Sequence, residues 1–338
     1  MRLGYSFWGF LGDGIVNTPD GGRSHRPTLV KELKKNGFQL VFLQQNRDLL
    51  EANQNFQQDY EWDETGLPPV DAIFFEWRWK IEGRNFGVST TSASYTPDLD
   101  RQNELIRNYS EKGIPTIVWD KDQTLSEDDP IRKLENVTVC EPAFFPRQGC
   151  RQLLFPVPMS FDTQWPLSRN RDRSCDLIYV GNQYGRDEAF DEYFAKPAIE
   201  LSHQVLGKWT ERQRWPHVRF IGRCGFDETK HAYDDALATV LLAPPRYAER
   251  GQITQRLFEA VERGCVPIGT CEVKGIDKLL PAPLIANNGA DVRRIVSELR
   301  ALSREEIDSL FQQVLKGMSV FRVDEQVKVI KKALSTAS

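Results

Sequence analysis

Short apolar runs of strand length alternate with helical stretches along this chain, and the alternation occurs twice. That order marks an α/β protein with parallel sheets, because parallel neighbours need a long crossover between them. In the first half the runs fall near Leu3 to Phe7, Gln39 to Leu43, Ala72 to Phe75, Thr116 to Trp119 and Val137 to Cys140. A helix is expected from about Thr28 to Asn36, stopped by Gly37. Another opens at Thr96-Pro97, a cap followed by proline, and ends at Gly113. Prolines and polar residues break the pattern between Phe155 and Asp172, as an interdomain connection would. The second unit has strands at Asp176 to Val180, Val218 to Ile221, Thr239 to Leu242, Val266 to Ile268 and Pro283 to Ala286. Its helices are Thr254 to Glu262, Ala290 to Leu299, Arg304 to Lys316 and Asp324 to Leu334. A length of 338 residues agrees with two domains of roughly 100 to 200 residues each. The expected division is a first domain over 1–158, a linker over 159–173, a second domain over 174–320 and a C-terminal helix, 321–338, returning to the first domain. Two such halves leave a cleft between them, and chemistry is expected there.

Composition narrows the class. With 40% hydrophobic and 27% charged residues the chain has the make-up of a globular protein. No apolar run approaches the roughly 20 residues that span a bilayer, and the N-terminus leads into a strand without a signal peptide's apolar stretch, so a cytoplasmic protein with no membrane partner is expected. Six cysteines form no CxxC pair and have no histidines at metal-ligand spacing, which argues for free thiols and against a zinc site. A formal net charge of -4 excludes a protein coated in basic surface, so any nucleic-acid binding must rest on a local patch. Nothing in the sequence calls for oligomerisation, and a monomer is expected.

The most informative stretch runs from Gly251 through Gln252-Ile253-Thr254-Gln255-Arg256-Leu257-Phe258-Glu259 to Gly264-Cys265-Val266-Pro267-Ile268. It reads as a loop, a short amphipathic helix, a glycine stop and a buried strand. Arg256 and Glu259 fall three residues apart on one helix face, near the positive end of the helix dipole, where a diphosphate is favoured. Arginine can hold phosphate oxygens bidentately, and a carboxylate one turn away can accept from both hydroxyls of a ribose. An RxxE alone would equally serve as a surface ion pair. Arg186, just after the strand and loop Asp176-Leu177-Ile178-Tyr179-Val180-Gly181-Asn182, stands at a helix start where backbone N–H groups face an anion.

These segments, with Val218-Arg219-Phe220-Ile221-Gly222 and Leu284-Ile285-Ala286-Asn287-Asn288, resemble the nucleotide-sugar half of GT-B glycosyltransferases, and most of all the DNA β-glucosyltransferases of T-even phages. The resemblance implies two Rossmann-like domains facing across a cleft and UDP-glucose as donor. It places Gly181, Asn182, Arg186, Gly222, Thr254, Arg256 and Glu259 at the donor. The family's loop is longer and carries two arginines, so Arg246 and Arg250 stand as candidates for the second phosphate partner. A divalent metal is not required by an arginine-based site, although one can assist UDP release; no protein metal site is expected.

Inverting transfer needs a base for the acceptor hydroxyl. Asp120, in Ile117-Val118-Trp119-Asp120-Lys121-Asp122, lies at the C-terminal end of a buried strand, where open α/β sheets bind ligands. By position it also matches the aspartate that the phage family uses as base. Asp122 and His25 are the alternatives, the latter in the glycine-rich loop Gly12 to His25, a region from which other relatives on this fold supply a histidine. After the third strand, Trp77-Arg78-Trp79-Lys80 and Arg84 alternate aromatic and basic residues, suited to stacking an extruded base and neutralising its phosphates. The same residues can instead finish a hydrophobic edge or stack on a sugar. The resemblance implies duplex DNA bearing 5-hydroxymethylcytosine or 5-hydroxymethyluracil as acceptor and, if the source is viral, the infected host cytoplasm. The alternatives are a bacterial enzyme acting on a cell-wall, capsule or small-molecule hydroxyl, and a non-catalytic sugar-binding protein. A basic strip fed by Arg78, Lys80, Arg84 and Arg147 would favour DNA.

Overall fold

The structure, a computed structural model, describes residues 1–16, 20–92, 95–164 and 173–336. Its strands form two sheets in which every paired strand runs parallel to its neighbour. The first comprises β1 (Arg2–Ser6), β2 (Gln39–Phe42), β3 (Glu61–Trp62), β4 (Ala72–Glu76), β5 (Thr116–Trp119), β6 (Val137–Glu141) and β7 (Arg151–Gln152), in the order β3-β2-β1-β4-β5-β6-β7. The second comprises β8 (Cys175–Val180), β9 (His203–Leu206), β10 (Phe220–Gly222), β11 (Ala236–Leu241), β12 (Val266–Thr270) and β13 (Ile285–Ala286), in the order β10-β9-β8-β11-β12-β13. Strand order reverses between β1 and β4 in one sheet and between β8 and β11 in the other. Such switch points open a crevice at the carboxyl ends of the strands.

The expected strands are all present, and three more join them. β3 and β7 are two-residue outer strands, and β9 begins with His203-Gln204, so none carries an apolar run. The central strands are buried on both faces, as parallel strands under helices must be. β4 is wholly buried and yet ends on a carboxylate, Glu76.

The helix Arg26–Lys35 carries proline in its first turn and stops before Gly37, whose φ of 86° suits glycine. The helix expected from Thr96-Pro97 begins at Asp98, runs to Asn108, and is followed by a 3-10 turn that ends at Gly113, φ 87°. Most of the expected linker, 165–172, lies outside the described residues. The last helix, Val323–Thr336, packs on the Arg26–Lys35 helix and β5. It buries Val327, Ile330, Ala333 and Leu334, each larger side chain contributing about 1.5–3 kcal/mol. Backbone bonds from Val323 N to Val157 O (2.9 Å) and from Val157 N to Phe321 O (2.8 Å) fix its entry. Gln326 Oε1 accepts from Leu154 N at 2.8 Å. The apolar core therefore continues through both sheets.

Candidate functional site

The two sets of strand ends share a cavity of about 520 Å³. Trp8, Asp20, Glu76, Lys121 and Asp122 reach it from the first sheet's connections, and Asn182, Arg186, Thr254 and Arg256 from the second's.

On the second side, Arg186 stands at the start of a short helix, and its Nη1 donates to Tyr179 Oη at 2.7 Å. Arg256 opens the helix Arg256–Glu262 and pairs with Glu259 at 2.6 Å. Glu259 also meets Ser24 Oγ across the cleft. Asn182 Oδ1 accepts from Lys208 N at 2.8 Å, which ties the Gly181-Asn182 loop to the connection after β9. Gly207 makes this approach possible: its φ is 132°, and a Cβ there would stand 2.2 Å from Gly181 O. Gly222, φ 100°, gives its carbonyl to Gly207 N at 2.7 Å; it supports the loop, and its neighbours Arg223 and Cys224 line a smaller pocket with Arg256 and Glu259. Of the two further arginines, Arg246 lies at the cleft rim, 3.3 Å from Tyr184 Oη and from Asp122 O. Arg250 faces a separate surface cavity together with Arg147 and Arg151.

The floor on the first side is a buried charge network drawn from residues far apart in the sequence. Arg26, with no exposed surface, donates to Glu76 through Nε (2.8 Å) and Nη2 (2.7 Å) and to Asp20 through Nη1 (2.7 Å). Tyr5 Oη also donates to Glu76, at 2.9 Å, and Lys121 Nζ completes the set. Burial alone would raise both carboxyl pKa values, but Arg26 and then Lys121 overcome it. Asp20 is brought down to about 2, and Glu76 lies well below the usual carboxylate range. Both are locked as anions and are poor proton acceptors.

Four residues expected at the site are buried or engaged elsewhere. Asp120 is fully buried: Oδ1 accepts from Thr124 N (2.9 Å), and Oδ2 from Leu125 N (2.8 Å) and Arg147 Nη2 (2.7 Å). With successive side chains alternating across the sheet, Lys121 takes the cleft and Asp120 takes the opposite side. Arg147, held by Asp120 and Glu141, is consequently not part of a strip beside the cleft. Trp77 borders the cavity but packs mainly in the apolar cluster around Val41, Phe75 and Val118, and only 9% of it is exposed. His25 is enclosed by Trp119 and Phe155, and its pKa falls well below 6.5 because of burial and then Lys121. It is a neutral ring whose Nδ1 lies 3.1 Å from Gln255 Nε2.

Asp122, in contrast, lines the cavity. Its Oδ1 accepts from Tyr247 Oη at 2.7 Å, a phenol kept protonated by burial and by Asp122 itself. Trp79, Arg78, Lys80 and Arg84 also border the cavity. Among the described residues, no group of three or more His, Cys, Asp or Glu could hold a metal ion, and no helix is long and apolar enough to cross a membrane.

Solved structures place this architecture. The DNA-modifying enzyme β-glucosyltransferase superposes with a TM-score of 0.65 at 15% identity, covering 99% of this chain and 100% of its own. The fold is GT-B. The T4 phage β-glucosyltransferase in complex with its UDP-glucose substrate gives a TM-score of 0.67 at 16% identity, with 99% of each chain covered. A glycosyltransferase of avilamycin A biosynthesis gives 0.61 at 11% identity, covering 99% of this chain and 98% of its own. No protein-family model and no curated protein matches the sequence.

Proposed function

We propose that this protein is an inverting glycosyltransferase that moves glucose from UDP-glucose to the hydroxymethyl group of 5-hydroxymethylcytosine or 5-hydroxymethyluracil in duplex DNA. The observation that carries the reading is that Arg186 and Arg256 face the same cleft as the carboxylate of Asp122. Residues 1–158 form the acceptor domain and 174–320 the donor domain, joined by 159–173, with 321–338 returning to the first.

In this reading the diphosphate lies between Arg186 and Arg256, with Gly181, Asn182 and Thr254 beside it, Gly222 supporting the loop and Glu259 on the ribose. The acceptor enters past Trp79, Arg78, Lys80 and Arg84. Asp122 takes the proton of the hydroxymethyl group as its oxygen bonds to the anomeric carbon. The bond from that carbon to the phosphate oxygen breaks, and UDP departs with its new charge balanced by the two arginines. Tyr247 holds Asp122 in place. No step is routed through a metal.

The DNA acceptor is supported by the basic and aromatic residues on the acceptor side and by the DNA-modifying neighbours. The second reading, a small-molecule or cell-wall hydroxyl, is favoured by the net charge of -4 and by the antibiotic-pathway neighbour. Incubation with UDP-glucose and duplex DNA containing 5-hydroxymethylcytosine, followed by digestion and mass measurement of the nucleosides, decides between them. A hexose-shifted nucleoside is expected. UDP release without a shifted nucleoside would remove the DNA acceptor and leave the second reading.

A further inference from the structure

A second cavity, about 850 Å³, adjoins the cleft and shares Trp8, Arg78 and Arg84 with it. At the boundary the Trp8 ring is surrounded by guanidinium groups: Arg84 lies 3.4 Å from its centroid, Arg47 4.5 Å and Arg78 4.9 Å. An indole face can hold cations in this way, yet three around one ring repel each other unless anions are near.

The anions within reach fall short. Glu51 is taken by Arg47, at 2.5 Å. Asp98 alone serves both other arginines, 2.8 Å from Arg78 and 3.9 Å from Arg84. Arg101, also on this wall, has its own partner in Glu104 at 2.6 Å, so the shortfall lies at Arg78 and Arg84, which share Asp98. Burial and then Arg78 push the Arg84 guanidinium down to about 10, the mark of a charge with too little compensation.

The unpartnered buried polar atoms of this wall are all donors. They include Trp8 Nε1, Gln44 Nε2, Arg78 Nη2, and Arg84 Nε and Nη2, and no unpartnered buried acceptor lies among the lining residues. Water would serve donors and acceptors alike. Unpartnered donors beside guanidinium groups that share one carboxylate match a ligand that accepts hydrogen bonds, with several oxygens and negative charge.

We infer that this second cavity is a phosphoryl subsite, in which Arg84, Arg78 and Trp8 Nε1 hold a phosphate group of the acceptor while its hydroxyl lies in the cleft beside Asp122. The inference rests on the glycosyl-transfer reading and extends it: the acceptor carries a phosphoryl group within one nucleotide's reach of the hydroxyl that is glycosylated. Trp8 serves as the ring that gathers the arginines and separates the two cavities.

Calorimetric titration of the full chain, with saturating UDP occupying the donor site, tests this with three probes: inorganic phosphate, thymidine 5′-monophosphate and a single-stranded oligothymidylate. Binding that weakens as salt rises from about 50 to about 200 mM is expected, and Arg84→Gln should lower affinity about 10- to 100-fold, the worth of a charged hydrogen-bond pair. Arg84→Lys, which keeps the charge without the planar fork, should recover part of it. An oligonucleotide that binds at least about tenfold tighter than the monophosphate assigns the subsite to a phosphodiester, and equal affinities assign it to a small phosphorylated acceptor. Absence of phosphate binding to the UDP-saturated wild type, which needs no variant to fold, would overturn the inference, as would an unchanged affinity in Arg84→Gln. UDP affinity is read on the same samples. Its failure would overturn the transfer reading and leave a bare anion site, whereas failure of phosphate binding alone leaves the transfer reading standing.

Discussion

One side of the donor wall, Gln252 to Arg256, comes from a single continuous stretch, while the floor draws Asp20, Arg26, Glu76 and Lys121 from separate connections. The first is a local design, in which a helix start, its dipole and the i,i+3 pair Arg256–Glu259 are set by neighbours in sequence. The second is a product of topology: β1, β4 and β5 lie side by side only because the sheet crosses over at its switch point. The difference explains where the chemistry is robust to local change and where a single substitution removes the support of several groups.

The largest effect that would sharpen this contrast separates the two aspartates at the end of β5. Asp122→Asn should lower kcat by about 10²–10⁴-fold with little change in the urea midpoint. Asp120→Asn should reverse the pattern, costing stability because Arg147 loses one of its two buried carboxylate partners. Equal kinetic losses in the two variants would erase the distinction.

Next comes Arg26→Ala, which leaves Glu76 and Asp20 buried with less compensation. A loss of about 3–5 kcal/mol in urea unfolding is expected. A loss below about 1 kcal/mol, the size of a surface ion pair, would mean that the floor is not the unit described here. On the donor side, Gly207→Ala should cost about 1–3 kcal/mol and weaken UDP binding, because the new Cβ meets Gly181 O.

The smallest effect is a pH dependence. The His25 pKa is depressed in the fold, so the unfolded chain binds a proton that the folded chain refuses as pH drops below about 6.5. Stability should fall there by up to about 1.4 kcal/mol per pH unit, and His25→Gln should flatten that slope. Asp20 and Glu76 act lower. Their stabilisation is complete above the ordinary carboxylate range and is lost as pH falls toward about 2.

Legibility in the sequence follows the same division. The central strands announced themselves because a parallel strand buried on both faces needs an unbroken apolar run, as in Ile117-Val118-Trp119 and Leu177-Ile178-Tyr179. β9 did not, since His203 and Gln204 occupy its first two positions. That Arg186 and Arg256 border the cleft, with Glu259 beside Arg256, was readable from loop, helix and glycine order. Arg26 was not, because an arginine in a first helical turn signals nothing until Glu76 is known to end a neighbouring buried strand. Asp120 misled because position at a strand end says where a residue is, whereas the alternation of side chains decides which side it serves. Even so, the acidic residue closing the buried run Ala72-Ile73-Phe74-Phe75-Glu76 was a visible signal of a buried partner.

Whether a nucleoside diphosphate lies between Arg186 and Arg256 is decided by the binding of UDP, UMP and uridine to the wild type and to an Arg186→Gln/Arg256→Gln variant. UDP should bind at least about tenfold tighter than uridine to the wild type, and that margin should vanish in the double variant. Equal affinity of the wild type for UDP and uridine, or an undiminished margin in the variant, would contradict the account.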